Sequence, residues 1–448
     1  MYKLSQIPEE YKKKLITAEQ AAALVKDGDR VSYGLGCAAP YDIDIEIGKR
    51  AKELHGVEIV ATTVVKDEPY AAYLNSDSNE QIRFATAHMN GFERKMSKDG
   101  RCWFIPILFN ELPKYWENID KLIIQVHPMD QWGNFNLGPQ ASDLRGLIRA
   151  AKTIILEVNQ NMPKALGYET ELNLCDVDYV VEGSNHPMPQ IPNRAGTPVD
   201  DKIADYIIPM IEDGSTLQLG IGGIPSAVGR KLAESDVKDL SGHTEMLVDA
   251  FYLMYQHGQL TNRRKAFCRD KVSWAFALGT QDLYDWMDDN PFLAAYPVDV
   301  INDPFIISQM DNFISINNCI DIDLFGQVSS ESAGTHQISG SGGQLDFTDG
   351  AYRSRGGKSI IALRSTFHNK KTGRDESRII PTLAPGTTVT DPRSQVNWVA
   401  TEYGMVNLMG ASTWERAERL ISIAHPDFRE DLIKEAEKMK IWRYSNKR

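Results

Sequence analysis

The sequence is short of cysteine: Cys37, Cys102, Cys175, Cys268 and Cys319 are scattered, odd in number and free of any C-x-x-C pair. That excludes a disulfide framework and a paired-thiolate zinc site, and it fits a reducing compartment. The nine histidines form no H-E-x-x-H motif and no tight cluster with cysteine, so metal catalysis finds no support. Long apolar runs are missing as well, since none approaches the ~18–20 residues that cross a bilayer. The first residues, MYKLSQIPEEYKKKLITAEQ, are charged and lack the apolar core of a signal peptide, and the expected location is the cytoplasm. Positive charge is scarce, with 49 Lys and Arg against 61 Asp and Glu and a net charge of −12. A nucleic acid or an anionic membrane as main partner is thereby excluded. A polyphosphate ligand would have to be held by local amides and a few cations.

What is present is a globular composition, 42% hydrophobic and 25% charged, over 448 residues. That length calls for two or three domains. The chain also resembles itself. Lys26-Asp-Gly-Asp-Arg-Val-Ser-Tyr-Gly-Leu-Gly36 matches Glu212-Asp-Gly-Ser-Thr-Leu-Gln-Leu-Gly-Ile-Gly222, with Gly28, Gly34 and Gly36 aligned on Gly214, Gly220 and Gly222 at one offset of 186. Further pairs follow in the same order: Asp130-Gln-Trp-Gly133 with Asp323-Leu-Phe-Gly326, Lys152-Thr-Ile-Ile-Leu with Lys358-Ser-Ile-Ile-Ala, and Val177–Gly183 with Val396–Gly404. Four ordered matches point to internal duplication, where any single one would be a chance likeness of turns.

Both halves read as α/β. Lys121–Val126, Thr153–Val158 and Ser359–Leu363 are short apolar runs of the kind found in buried parallel strands. Tyr41–Leu54, Ser226–Glu234 and Glu415–Ile423 read as helices, and Phe428–Ile441 as an exposed amphipathic one. Alternating strands and helices imply open, mostly parallel sheets covered on both faces. The expected fold class is therefore α/β: two similar open α/β domains, 1–185 and 201–448, joined by a Pro-rich linker over 186–200.

Two glycine-rich segments stand out. Ser215–Leu219 should be a strand, Gly220-Ile-Gly-Gly-Ile-Pro225 a tight turn, and Ser226–Glu234 a helix. Pro225 suits an early helical position, where its missing N–H costs nothing. Such a junction presents backbone amides at the positive end of a helix, fit for a phosphate or an oxyanion; a purely structural turn is the other reading. The pattern is G-x-G-G-x-P and not G-x-G-x-x-G, and a ribose-binding acidic residue is missing at the usual spacing, which argues against a dinucleotide. Gly356-Gly-Lys-Ser359 mimics the end of a P-loop, but Tyr352 stands where the first glycine is required. The second segment, Ser339-Gly-Ser-Gly-Gly-Gln344, is expected between strands, either as a mobile hairpin or as a close approach of backbone to ligand.

Taken together, Gly220–Pro225, Ser241-Gly-His-Thr-Glu245-Met246, Gly340–Phe347 and Val399-Ala-Thr-Glu-Tyr-Gly404 resemble the acetyl-CoA hydrolase/transferase family. The likeness extends to Asn159-Gln-Asn-Met-Pro163 and Asp130–Phe135, nearly the whole chain. It implies a CoA-transferase-type fold, homodimeric assembly, acyl-CoA and short-chain carboxylates as partners, and a catalytic glutamate at Glu245. Coenzyme A would be substrate and covalent carrier, with no tightly bound cofactor and no metal. Within the family the motifs are most similar to those of enzymes that exchange CoA between butyryl-CoA and acetate, with 4-hydroxybutyrate as an alternative acid, hydrolysis as an alternative reaction, and a noncatalytic CoA-binding regulator as an alternative of another class.

The implied chemistry is covalent catalysis by a carboxylate. A glutamate side chain with a reference pKa of about 4.3 is already ionised at pH 7, so activation must come from position and partial desolvation. The amides of Gly220, Ile221, Gly222, Gly223 and Ile224, or of Gly342 and Gly343, are the candidates for CoA binding and oxyanion stabilisation. Gln218 either binds the acyl carboxylate or caps the turn. Ile320 either lines the CoA arm or belongs to the core. Lys370, beside Lys371, either meets the CoA phosphates or sits in a solvated turn. His243 is expected to alternate with Glu245 across the strand and is not assigned as a base.

Overall fold

The computed structural model describes residues 2–37, 39–66, 68–191 and 196–443. The linker expected over 186–200 thus includes 192–195, outside the described residues. A helix already begins at Pro198. By packing, the chain resolves into two compact units. One is Met1–Pro192 with Glu245–Leu247 and Ser273–Ile301; the other is Asn193–Thr244 with Val248–Val272 and Asn302–Arg448.

The first sheet has seven strands: β1 (Arg30–Ser32), β2 (Val57–Ala61), β3 (Ile82–Thr86), β4 (Cys102–Phe104), β5 (Lys121–Val126), β6 (Ile154–Val158) and β7 (Tyr179–Glu182). Their spatial order is β4-β3-β2-β1-β5-β6-β7, and every pairing is parallel. The second sheet holds β8 (Thr216–Leu219), β9 (Ser241–Leu247), β10 (Val272–Ala277), β11 (Leu293–Ala295), β12 (Phe313–Asn318), β13 (Lys358–Ala362), β14 (Trp398–Thr401) and β15 (Gly404–Asn407). Its order is β11-β10-β9-β8-β12-β13-β14-β15. Adding seven to each strand number of the first sheet reproduces the second. The one addition is β15, an antiparallel partner of β14 at the edge.

The duplication extends to atomic detail. The Oδ1 of Asp130 accepts from the N–H groups of Trp132 and Asn134 at 2.9 and 2.8 Å, and the Oδ1 of Asp323 accepts from Phe325 and Gln327 at 3.0 and 2.9 Å. In both turns a glycine takes a left-handed φ, +84° at Gly133 and +85° at Gly326, a conformation that carries no steric cost without a Cβ.

Helices α1 (Asp42–Arg50), α2 (Ala141–Ala150), α3 (Gly223–Ala233), α4 (Gln344–Arg353), α5 (Thr413–Ser422) and α6 (Pro426–Lys438) include the four read from sequence, with boundaries shifted by a few residues. The strands are buried because both faces are covered, as apolar runs such as Ile154-Ile-Leu require. Val31, Ile59, Ile123 and Ile155 meet Ile43 and Ile47 of α1 in one core. Another joins Ile361 and Val399 to Leu420 of α5 and to Leu432, Ile433 and Ala436 of α6. The terminal helix is therefore amphipathic, as expected, with its apolar side packed.

Candidate active site

Strand β9 carries Ser241-Gly-His-Thr-Glu-Met-Leu247, and Glu245 alone among the seven is only half-buried. β8 fixes the start of this strand by pairing Thr216 with Ser241 and Leu217 with Gly242. Residues two apart in a strand share a face, so His243 and Glu245 lie on the same side of β9. The sequence-based expectation that they alternate is corrected here. His243 is nonetheless fully buried among Phe267, Phe313 and Phe347, with ring centroids at 5.6, 6.0 and 6.2 Å. Lys265 is also buried, donating from Nζ to the Gly242 carbonyl at 2.7 Å. Burial pushes its ammonium down to about 7.

The first glycine loop leaves β8 and enters α3 at Gly223, as its strand–turn–helix pattern predicts. Gly222 has φ +121°, where a side chain would be strained. The N–H groups of Ile221, Gly222, Gly223 and Ile224 find no acceptor among the described residues, leaving donors aimed out of the helix terminus. Ile221 is 54% exposed, whereas Ile224 is buried. Gln218 sits at the loop-facing end of β8, buried and paired with Asn317 of β12 through two 3.1 Å hydrogen bonds.

The second glycine loop differs from expectation. Gly342 takes φ +53° and Gly343 caps α4, so the segment opens a helix instead of joining two strands. Gln344–Arg353 buries Phe347, Thr348 and Ala351, a helical spacing that the Leu-Asp-Phe stretch alone does not reveal. Again the Gly342 and Gly343 amides have no acceptor among the described residues.

Within the second unit, hydrogen bonds connect the two loops. Asn318 Nδ2 donates to the Ile221 carbonyl at 3.1 Å, Ser330 Oγ donates to the Asn318 carbonyl at 3.3 Å, and Gln344 Nε2 donates to Ser330 Oγ at 2.7 Å. Gln344 also donates to Asp391 at 2.5 Å, a carboxyl that burial raises to about 6. Ser341 Oγ donates to the buried Glu331 at 3.3 Å. Sequence reading missed Asn317, Asn318, Ser330, Asp391 and Lys265. Asn317, Asn318 and Ser330 are polar residues at or beside strand ends, a signal many turns share, and Lys265 and Asp391 lie outside the named strands with no local mark.

Ile320 is half-buried. Its N–H donates to the Ser329 carbonyl at 2.8 Å, and its own carbonyl accepts from Arg378 at 2.6 Å. Lys370 is exposed in the turn between two short strands, Thr366–Asn369 and Arg374–Ser377. Among the described residues no group of three His, Cys, Asp or Glu is placed to hold a metal ion, and no helix is long and apolar enough to cross a membrane.

Comparison with known proteins covers nearly the whole chain. Residues 2–192 match the acetyl-CoA hydrolase/transferase N-terminal domain and residues 279–436 its C-terminal domain. The chain is 47% identical over 445 residues to butyryl-CoA:acetate CoA-transferase of Anaerostipes caccae, covering 98% of this chain and 99% of that protein. It is 38% identical over 434 residues to 4-hydroxybutyrate coenzyme A transferase of Clostridium kluyveri, with 96% and 98% covered. Among solved structures, RipA from Yersinia pestis has a TM-score of 0.89 at 34% identity, covering 97% of this chain and 99% of that one.

Proposed function

The chain belongs to the acetyl-CoA hydrolase/transferase family, and on that premise we propose that it moves CoA between butyryl-CoA and acetate through a thioester on Glu245. That it is an enzyme transferring CoA follows from the family and its relatives. The choice of butyrate rests on one observation, 47% identity across essentially the whole of a butyryl-CoA:acetate CoA-transferase.

The Glu245 carboxylate attacks the acyl thioester, the C–S bond breaks, and a mixed anhydride and CoA thiolate result. The thiolate attacks the glutamyl carbonyl, the anhydride C–O bond breaks, and butyrate leaves. Acetate then attacks the glutamyl thioester, and the same two steps run in reverse to release acetyl-CoA. Thioester energy is conserved throughout, and no redox step is involved. The half-exposure of Glu245 in an otherwise buried strand supports its role. A carboxylate held there is reachable yet partly desolvated, and positioning does the rest. The unpaired amides of the two glycine loops are suited to the oxyanions formed in each attack and to the CoA pyrophosphate. Lys370, exposed and cationic, is the proposed phosphate contact, and Ile320 an apolar contact along the CoA arm. Gln218 acts by holding the loop end of β8 and reaches the acid only if its pair with Asn317 opens.

Mass spectrometry of the enzyme incubated with butyryl-CoA and no acetate tests the reading. A CoA adduct on the Glu245 peptide, labile to hydroxylamine and absent from Glu245→Gln, is expected. Rapidly quenched protein with every peptide unmodified overturns the covalent mechanism. Continuous thioester loss without acetate identifies a hydrolase instead.

A further inference from the structure

The duplicated Asp-x-x-Gly turns share their hydrogen bonds, but what packs on them differs. Were Gly133 of the first turn given a Cβ, its nearest neighbours would all be atoms of Ile7, at 3.4 Å and beyond. A Cβ on Gly326 of the second turn would stand 2.6 Å from Arg416 Nη1. The turn itself therefore does not call for a cation, and only the second half supplies one.

Arg416 has company. It lies three residues before Arg419 on α5, a spacing that puts both on one helix face, and both side chains are half-buried. Arg416 donates from Nε to the Ala411 carbonyl at 3.2 Å and from Nη1 to the Phe325 carbonyl at 3.4 Å; Arg419 donates from Nη1 to the Asn407 carbonyl. Arg393, exposed, comes to the same turn with its Cζ 5.8 Å from the centroid of the Phe325 ring. These contacts fix the side chains and leave most of their N–H donors over.

Their charge is uncompensated. Elsewhere in this unit Arg264, Arg353, Arg355 and Arg364 each reach an Asp carboxylate. Among the described residues the partners of Arg393, Arg416 and Arg419 are the carbonyls and the ring just named, with no ion pair. Asp323, within the turn, has both oxygens engaged by Phe325 and Gln327. Glu415, whose carboxyl is held low by Ser412 first and then by the charges of Arg419 and Arg443, accepts from the Ser412 N–H at 2.8 Å and hydroxyl at 2.6 Å. Burial, and after it the like charges of Arg393 and Arg419, push the Arg416 guanidinium below the ordinary arginine range. A chain of net charge −12 thus gathers three cations without an acid between them. One carboxylate would answer only one of the three charges. A phosphate group brings about two charges and three acceptor oxygens, and it pairs with guanidinium forks two bonds at a time.

We propose that Arg393, Arg416 and Arg419, gathered on the Asp323–Gly326 turn, form a binding site for a terminal phosphate dianion, built from residues outside the two glycine loops. Two sources carry that chemistry, the 3′-phosphate of CoA and a free phosphate in solution. The site rests on the arginines alone; its use by CoA rests also on the proposed function.

Thermal unfolding in rising sodium phosphate, against sodium chloride at matched ionic strength, tests it on the parent, Arg393→Gln and Arg416→Lys. Phosphate held at the glycine loops shifts all three proteins alike, so the readout is the phosphate response that the variants lose. The apparent affinity for phosphate should fall about tenfold in Arg393→Gln, the loss of one charge-assisted contact. Arg416→Lys, which keeps the charge and removes the fork, should weaken it too. Equal phosphate responses in the three proteins, or a parent that responds to phosphate no more than to chloride, overturn the proposal. The KM of butyryl-CoA against that of its analogue lacking the 3′-phosphate then separates the sources. If CoA seats here, the parent prefers the full substrate and Arg393→Gln loses the preference; if free phosphate does, both proteins show the same preference while the phosphate response still differs. An enzyme that turns over neither substrate sinks the proposed function and leaves the phosphate titration to decide the site.

Discussion

Gln218 and Asn317 clasp each other through both amides, each NH2 donating to the other's carbonyl at 3.1 Å. They are 4% and 6% exposed and tie β8 to β12 at the level where the first glycine loop begins. A buried amide that loses its partner bears its desolvation penalty in full.

Gln218→Leu and Asn317→Leu should therefore each lower stability by about 1–3 kcal/mol. The double variant should lose less than the sum, with a coupling of roughly 0.5–3 kcal/mol. Urea denaturation of the four proteins measures it. Additive losses would mean that the pair does not act as a unit.

The duplicated turns allow a paired test. Gly133→Ala and Gly326→Ala both force a side chain into left-handed backbone, at about 1–2 kcal/mol each. The second should cost more, because its Cβ would displace the Arg416 guanidinium and stand 3.2 Å from Leu408, against 3.4 Å from Ile7 in the first. Thermal unfolding decides, and a neutral effect at either glycine contradicts the turn geometry.

Lys265 predicts a pH effect. Its folded pKa of about 7 lies below the ~10.4 of an unfolded lysine. Between these values the unfolded chain holds a proton that the folded chain has lost. Stability from this group is complete above ~10.4 and is lost as pH falls through about 7. Relative to Lys265→Met, the parent should gain up to ~1.4 kcal/mol per pH unit in that window. Parallel stability curves from pH 7 to 10 would refute a buried neutral lysine.

Glu245→Asp retains the carboxylate but retracts it by one methylene. Near-attack geometry is sensitive at this scale, and a displacement of about 1 Å can cost 10²-fold. Steady-state assays should show kcat reduced by about that factor or more with the fold unchanged. A parental kcat would mean that the nucleophile is another group.

Much of the architecture was legible because strands and repeats leave local signatures. Lys121–Val126 was read residue for residue, its apolar Leu122-Ile-Ile core being interrupted only by Gln125. The repeated Asp-x-x-Gly turns announced the duplication, since their hydrogen bonds are made within five residues. The second glycine loop was misread because Leu345, Asp346 and Phe347 mimic strand alternation, and only the turns further along α4 settle the period. Glu157 gave a faint signal, a lone acid inside Ile154-Ile-Leu-Glu-Val158, but the Tyr41 and Ile43 N–H groups from which it accepts are far away in sequence. The hydrogen-bonded path through Asn318, Ser330 and Gln344 was invisible for the same reason: each member is an ordinary polar residue until the fold brings them together.

The central position of β1 and β8 has a consequence for biosynthesis. Each strand pairs early on one side, but its other neighbour is encoded far downstream, Lys121 for Val31 and Phe313 for Thr216. At ~5–20 residues per second on the ribosome, about 5–20 s separate the emergence of one from the other. Throughout that interval a strand that ends up as fully buried as Thr216-Leu-Gln-Leu219 offers an unsatisfied edge to any neighbour. Recombinant yield should thus follow chaperone capacity and translation speed more closely than it follows the melting temperature of the finished enzyme.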